Sequence, residues 1–374
     1  MGLISMGSGA PPVGLDIGTD HVRAAVLKPG TMAPSLIGYG RVEMPMGAVV
    51  DGEIVDPAAV SMAIKELWRQ PGIKGREVVT GVSNQKVVVR LVDLPFMERD
   101  ELQGAIQYQA QDYIPIPIED AILDFQILTD YMTPSDEHMM EVLLVAAQRD
   151  MIESTVAAVE GAGLRLAAIE VTPFAVVRSV LGSGLNVLPE EGDTDDAVAV
   201  IHIGSGLTNI IVVERDMARF TRVSSLSGNQ FTQAVANVLN LTFDEAERVK
   251  LRAGLPDMDA AVHPPADDAE ARVIRAAQDA LEREVNKFIA EVRRSLDYYL
   301  TQTTQARTIR RIYLTGSSAQ LRNMAAYLEK GLQAQVILSD PLKHVQVASS
   351  ARMLAEEDAM GAAPAIGLAI GGVI

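Results

Sequence analysis

The sequence predicts an α/β fold, and three observations carry that reading. Apolar strand-like runs alternate with helix-like runs along the chain. Three of the strand-like runs end in glycine-bearing turns: Asp16-Ile-Gly-Thr19, Ile203-Gly-Ser-Gly-Leu-Thr208 and Leu314-Thr-Gly-Ser-Ser-Ala319. The strand–turn–strand shape of the first returns in the second about 190 residues on, a repeat of shape rather than identity.

The elements follow in order. Val13 to Ile17 reads as a buried strand, and Val22 to Leu27 as its return, with Gly18 to His21 at the hairpin tip. Val60 to Trp68 reads as a helix with Ile64, Leu67 and Trp68 on one face. Val78 to Val82 and Val87 to Leu91 are strand-like. Asp100 to Tyr113 is expected as a helix, with Asp100 and Glu101 as N-cap and first-turn acids. Ile114-Pro-Ile-Pro-Ile118 must leave the helix, because proline lacks the N–H and clashes. Leu123 to Leu128 and Glu141 to Ala146 read as strands across a loop at Thr133 to His138, and Asp150 to Gly161 as a helix. The breaker-rich stretch Leu188 to Asp196 reads as a link. Beyond it come strands Ala197 to Ile203 and Thr208 to Glu214, an acidic loop Asp257 to Ala271, and a long helix from about Glu270 to Leu300. Its apolar residues from Ile274 to Tyr299 recur at helical spacing, and packing into a core is expected over a coiled coil. Ile312-Tyr-Leu314 is a strand into the third turn. Leu321 to Leu332 is a helix and Gln335 to Leu338 a strand.

Composition bounds the function. A chain of 374 residues exceeds one ordinary core, so at least two domains are expected. Cysteine is absent, so no disulfide framework exists, which fits a reducing cytoplasm. His21, His138, His202, His263 and His344 lack metal-ligand spacing, so no zinc site is expected. A net charge of −17 disfavours binding to a nucleic-acid backbone. Local N–H groups still allow a nucleotide. No basic residue precedes Arg23, so no signal peptide is read, and Met6 stands where a myristoylation motif wants Ser or Thr. The apolar stretch Ala362 to Ile374 is shorter than the roughly 20 residues of a membrane span.

The turns carry the chemistry. Backbone N–H groups exposed in tight turns cradle phosphate oxygens. In the first turn Gly18, Thr19 and Asp20 would offer N–H groups. Asp16 would hold hydrated Mg²⁺, and Arg23 would reach back as a cation. In the second, Gly204, Ser205, Gly206 and Thr208 repeat the arrangement, and Gly228 and Asn229 would aim helix N–H dipoles at the same phosphates. In the third, Gly316, Ser317, Ser318 and Ala319 would let a purine lie against the backbone. Glu247 and Lys250, one helical turn apart, would bind a ribose and adenine edge. Each motif alone also reads as an ordinary hairpin, or as a surface ion pair. Their order and spacing are more specific than any one of them.

That order resembles the actin-like ATPase superfamily, which includes FtsA, sugar kinases and DnaK-type chaperones. Two further stretches narrow the likeness. Asp93-Leu-Pro-Phe-Met97 through Tyr113-Ile-Pro-Ile-Pro117 to Asp124-Phe-Gln-Ile-Leu128 resembles the inserted subdomain of the PilM family of type IV pilus assembly proteins. Glu291-Val-Arg-Arg-Ser-Leu-Asp-Tyr-Tyr299 and Phe220-Thr-Arg222 are similar to the same family. The likeness covers nearly the whole chain. It implies a duplicated RNase H-like, actin-like α/β fold of two domains, with an insertion replacing the small lobe of the first. The implied division is subdomain 1A at 11–77, 169–190 and 343–374; the insertion, 1C, at 78–168; 2A at 196–229 and 309–342; and 2B at 230–308.

The resemblance also implies ATP or ADP with Mg²⁺ in the cleft. It implies a partner as well, the short cytoplasmic N-terminus of a PilN-like membrane protein, gripped between the first subdomain and the insertion. The expected groove lies around Phe96, Tyr108, Ile114 and Ile116, against the plain alternative that these residues are core. PilO- and PilP-type platform proteins and motor ATPases would be indirect partners. The expected place is the cytoplasm, at the inner face of the membrane through the partner, with no direct insertion. The sequence departs from the family at His202, where Asp is usual and helps to organise metal and water. It also departs at Ser318 and Asn229 for glycines and at Arg23 for lysine. Nucleotide binding would survive these changes while hydrolysis would be weak or absent. An FtsA-like filament-forming ATPase, a small-molecule kinase and a type II secretion platform component remain alternatives.

Overall fold

The computed structural model describes residues 11–31, 33–182, 197–214, 216–258, 268–302 and 308–373. The expected link at 188–196 and most of the acidic loop lie outside the described residues.

Strand β1 (Val13–Ile17) runs into the first turn, and β2 (His21–Lys28) returns antiparallel, so Asp16 stands opposite Arg23. A third strand, β3 (Ser35–Glu43), extends this ladder, and a short pair, β4 (Val49–Val50) and β5 (Glu53–Ile54), follows. Helix α1 (Pro57–Leu67) starts where Asp56 accepts from the Ala58 and Ala59 N–H groups at 3.0 Å, and Pro57 needs no partner there. Strand β6 (Glu77–Val82) then lies parallel to β1.

An inserted lobe comes next. It holds β7 (Val88–Pro95), α2 (Arg99–Ala110), β8 (Ala121–Met132) and β9 (His138–Gln148), its sheet ordered β7-β9-β8. Helix α2 begins one residue before the expected cap. Asp100 therefore sits in its first turn, where the dipole favours it, and not at the N-cap. Helix α3 (Arg149–Gly161) packs on α1, and β10 (Arg165–Val171) pairs parallel with β6. Helix α4 (Thr172–Leu181) follows. The expected insertion at 78–168 is therefore too wide, because β6 and β10 hydrogen-bond into the first sheet and α3 packs beside them.

The second half repeats the plan. Strands β11 (Ala197–Ile203), β12 (Thr208–Glu214) and β13 (Met217–Ser224) form an antiparallel meander, with helices α5 (Gly228–Leu239), α6 (Phe243–Ala253) and α7 (Ala269–Gln302) after it. Strand β14 (Ile309–Thr315), helix α8 (Met324–Leu332) and strand β15 (Gln335–Leu338) complete a sheet ordered β13-β12-β11-β14-β15. Leu281, Val285, Phe288 and Val292 of α7 are buried with Phe231 and Leu314, so α7 is a core helix and not a coiled coil. The helix expected from Leu321 begins three residues later, at Met324. A 3₁₀ turn at Ser317–Gln320 precedes α8, and Asn323 stands between them with φ 67°.

The chain then returns to its first sheet. Strand β16 (Gln346–Val347) pairs with β3, completing the order β10-β6-β1-β2-β3-β16. Helices α9 (Ser349–Glu357) and α10 (Ala363–Gly371) follow. Ala365, Ile366, Leu368 and Ile370 of α10 are fully buried, so the apolar tail is a core helix packed on α4 and β1. No helix among the described residues is long and apolar enough to cross a membrane.

Candidate binding cleft and a neighbouring apolar groove

The β1–β2 and β11–β12 hairpins point their turns at one another. Thr19 of the first packs against Gly206 of the second so closely that a Cβ on Gly206 would collide with it. Ser83, just past β6, donates to Asn209 Oδ1 at 2.6 Å and ties the two halves together. Two cavities flank the meeting point. The larger, about 830 Å³, is bordered by Asp20, Ser205, Gly228, Asn229, Glu247, Lys250, Ser317 and Ser318. The smaller, about 90 Å³, is bordered by Asp16, Gly18, Arg23, His202 and Gly204.

Charge is concentrated on the first hairpin. Burial pushes the Asp16 carboxyl up to about 6, against the pull of Arg23. Burial acts the same way on Asp20, but His21, Arg23 and Ser205 outweigh it and hold that carboxyl well below the usual range. His21 Nδ1 lies 3.0 Å from Asp20 Oδ2, in contact but poorly aligned for a hydrogen bond. The His202 imidazole is brought down to about 4, first by burial and then by Arg23, so it is neutral at pH 7. Its Nδ1 is buried without a protein partner.

Several expected roles change. The Gly18 N–H closes its own turn on the His21 carbonyl, and the Gly204 N–H closes its turn on Leu207, both at 2.9 Å. These two N–H groups are therefore spent. The N–H groups of Gly228 and Asn229 donate to the carbonyls of Gly204 and Ser205 at 3.1 and 2.7 Å, so they brace the second turn instead of facing the cleft. Thr208 is fully buried, and its hydroxyl donates to the Leu226 carbonyl at 2.8 Å. Ala319 is a core residue, and the Gly316 N–H is bound by the Met360 carbonyl at 3.1 Å. Arg23 does not reach back freely. Its Nε donates to Asp358 Oδ2 at 2.8 Å, and Tyr39 donates to the same oxygen at 2.7 Å. Thr19, Asp20, Ser205, Gly206, Ser317 and Ser318 remain at the cleft surface. Lys250 Nζ bonds Glu247 at 2.7 Å and Thr232 at 3.0 Å along one wall.

Sequence reasoning missed Asp358, Ser83, Asn209 and the β4 region. Asp358 lies 335 residues from Arg23, and no local pattern links them. A strand-end Asp16 facing Arg23 was the one available hint that the arginine needed a carboxylate of its own.

The four residues expected to line a partner groove do not come together. Ile114 and Ile116 are 7% and 8% exposed in the core between α2 and the inserted sheet, because the proline-bearing segment wraps over that core. Phe96 is 40% exposed and stacks on His138, and Tyr108 is 77% exposed. An apolar groove of about 360 Å³ lies instead on the opposite face of the sheet. In β9, Met140, Val142, Leu144 and Ala146 pack into the α2 core, whereas the alternate residues Leu143, Val145 and Ala147 face the groove. Ile169 of β10 and Phe174 of α4 supply the far wall. Both β8 and β10 are edge strands of their sheets, and both border the groove.

Comparison with known proteins places this architecture. A family profile described as "Type IV pilus assembly protein PilM" matches residues 14–373. A solved PilM-PilN type IV pilus biogenesis complex holds a chain that superposes with a TM-score of 0.81 at 28% identity, covering 98% of this chain and 99% of that one. MreB5 of Spiroplasma citri, solved with AMPPNP, superposes at 0.52 and 13% identity over 96% and 95%, which shows the shared actin-like fold. The cell division protein FtsA of Streptococcus pneumoniae is 26% identical over 270 residues, 64% of this chain and 55% of the relative. This chain spans about half the length of the curated relatives it matches. With the profile spanning nearly its whole length, the chain belongs to the PilM family of type IV pilus assembly proteins.

Proposed function

We propose that this chain is a nucleotide-binding scaffold of a type IV pilus assembly platform. It holds the cytoplasmic N-terminal tail of a PilN-like membrane protein, and its ATP hydrolysis is weak or absent. The observation that carries the partner reading is the groove between the inserted sheet and β10. A sheet face on which Leu143 and Val145 stay half-exposed opens on this apolar groove, and two strand edges flank it. An extended peptide satisfies such edges through its backbone and places alternate side chains on the apolar floor. The solved relative is itself a complex of PilM with PilN. The tail would keep the chain at the inner face of the cytoplasmic membrane, with PilO- and PilP-type proteins and motor ATPases linked indirectly.

The cleft supports the nucleotide. A cavity of about 830 Å³ is within the range of small-molecule sites. Backbone and hydroxyl donors of Thr19, Ser205, Gly206, Ser317 and Ser318 border it where phosphates would lie, and Glu247 and Lys250 border the purine end. The half-buried Asp16 carboxylate, which borders the small cavity with His202, would fit a hydrated divalent cation as an oxygen ligand. Bound Mg²⁺ would supply charge neutralisation to the phosphates. A neutral His202 cannot provide the charge that a carboxylate would at that place, which is why hydrolysis is expected to be weak.

The test is fluorescence anisotropy with a labelled peptide of the cognate PilN-like N-terminus. The chain is expected to bind it, with Leu143→Asp and Phe174→Asp each weakening binding by at least about tenfold. Undiminished binding by both variants would overturn the groove. ATP-dependent polymers in electron micrographs would favour the second reading, a filament-forming ATPase, which the likeness to FtsA supports.

A further inference from the structure

We propose that Asp20 makes the cleft select a nucleoside diphosphate over a triphosphate. This inference rests on the nucleotide reading above. Of the described residues that border both cavities (Thr19, Asp20, Val49, Ser205, Gly206 and Ser317), Asp20 alone is charged. Its carboxylate faces the Ser205 hydroxyl of the opposite turn. It therefore stands across the passage that leads from the larger cavity to Asp16.

A phosphate chain entering from the purine end meets the neutral donors of Ser205, Gly206, Ser317 and Ser318 first. A further phosphate must then enter the space between the two turns, beside the Asp20 carboxylate. Like charges repel, and the half-enclosed cleft screens them less than bulk water does.

Asp20 is offset only in part: Arg23 stands 3.6 Å away and His21 3.0 Å away, but Arg23 is shared with Asp358. The lysine and arginine bordering the two cavities are already committed. Arg23 is bonded to Asp358 at 2.8 Å with Asp20 at 3.6 Å, and Lys250 is bonded to Glu247 at 2.7 Å. The charged side chains bordering the smaller cavity are two carboxylates, Asp16 and Asp20, against the single Arg23.

The experiment is calorimetric titration of MgADP and MgATP into the full chain, unaltered and as Asp20→Ser and Asp20→Asn. Circular dichroism melts would check that both variants fold. The unaltered chain is expected to bind MgADP about tenfold or more tightly than MgATP, a difference of about 1.4 kcal/mol. Either variant should close most of that gap by strengthening MgATP. Equal affinities in the unaltered chain, or a gap that both folded variants retain, would overturn the role of Asp20 and leave the nucleotide reading standing. Failure of either nucleotide to bind any of the three proteins would overturn the nucleotide reading itself, and this proposal with it.

Discussion

In both hairpins the first glycine N–H closes the turn on the carbonyl three residues on, at 2.9 Å. A Cβ added to Gly18 would stand 2.9 Å from the His21 oxygen, and one added to Gly204 would stand 2.9 Å from the Leu207 oxygen. The ladders also correspond, with Asp16 opposite Arg23 in one and His202 opposite Asn209 in the other. The side chains are where they part. The first hairpin carries Asp16, Asp20 and Arg23, and the second has no charged group between its neutral His202 and Asn209. Duplicated backbone shape has been kept while the charge sits on one side. Shape is therefore a weak guide to which half does the chemistry.

The largest expected effect tests that asymmetry of charge. Asp16→Ala should weaken magnesium-dependent nucleotide binding by about a hundredfold, roughly 2.7 kcal/mol, and His202→Ala by no more than about threefold. Calorimetry on the two variants checks it, and equal losses would break the comparison.

Next in size is a pH effect on stability. The folded His202 titrates at about 4, and an unfolded histidine at about 6.5. Between those values the unfolded chain binds more protons. The contribution is therefore full above about pH 6.5 and is lost as pH falls toward 4, at no more than about 1.4 kcal/mol per pH unit. Arg23 and Asp20 are the charged groups acting on the ring, and Arg23 deepens the effect. Urea titrations from pH 7 to 5 in chelating buffer should show a smaller loss of stability for His202→Asn than for the unaltered chain. Identical pH slopes would mean that the ring is not held neutral.

The smallest effect is a matched pair. Gly18→Ala and Gly204→Ala should each cost about 1 kcal/mol, because each new methyl presses on an equivalent carbonyl. Melting curves showing one variant unchanged and the other strongly destabilised would mean that the turns are not equivalent.

Much of this plan is legible in the sequence, for local reasons. The strands flanking the first two turns are continuous apolar runs, and α7 declares itself by its spacing from Ile274 to Tyr299. Strand β3 is not legible in the sequence, because Gly38 and Gly40 interrupt its apolar pattern. What stayed hidden is long-range. The Arg23–Asp358 pair, the Ser83–Asn209 bridge and the Gly228 and Asn229 N–H bonds to the second turn join residues that no local pattern relates. Ile114 and Ile116 looked like a groove because an apolar run between prolines reads alike on a surface and in a core. Only the packing against α2 decides between them.

The central claim is that a nucleotide sits between the hairpins, held through a cation at Asp16. Its most direct test is titration of ADP into the unaltered chain with excess Mg²⁺ and again with EDTA. The account predicts one site per chain, weakened at least about tenfold by the chelator. Equal affinity in both buffers, or no binding in either, would contradict it.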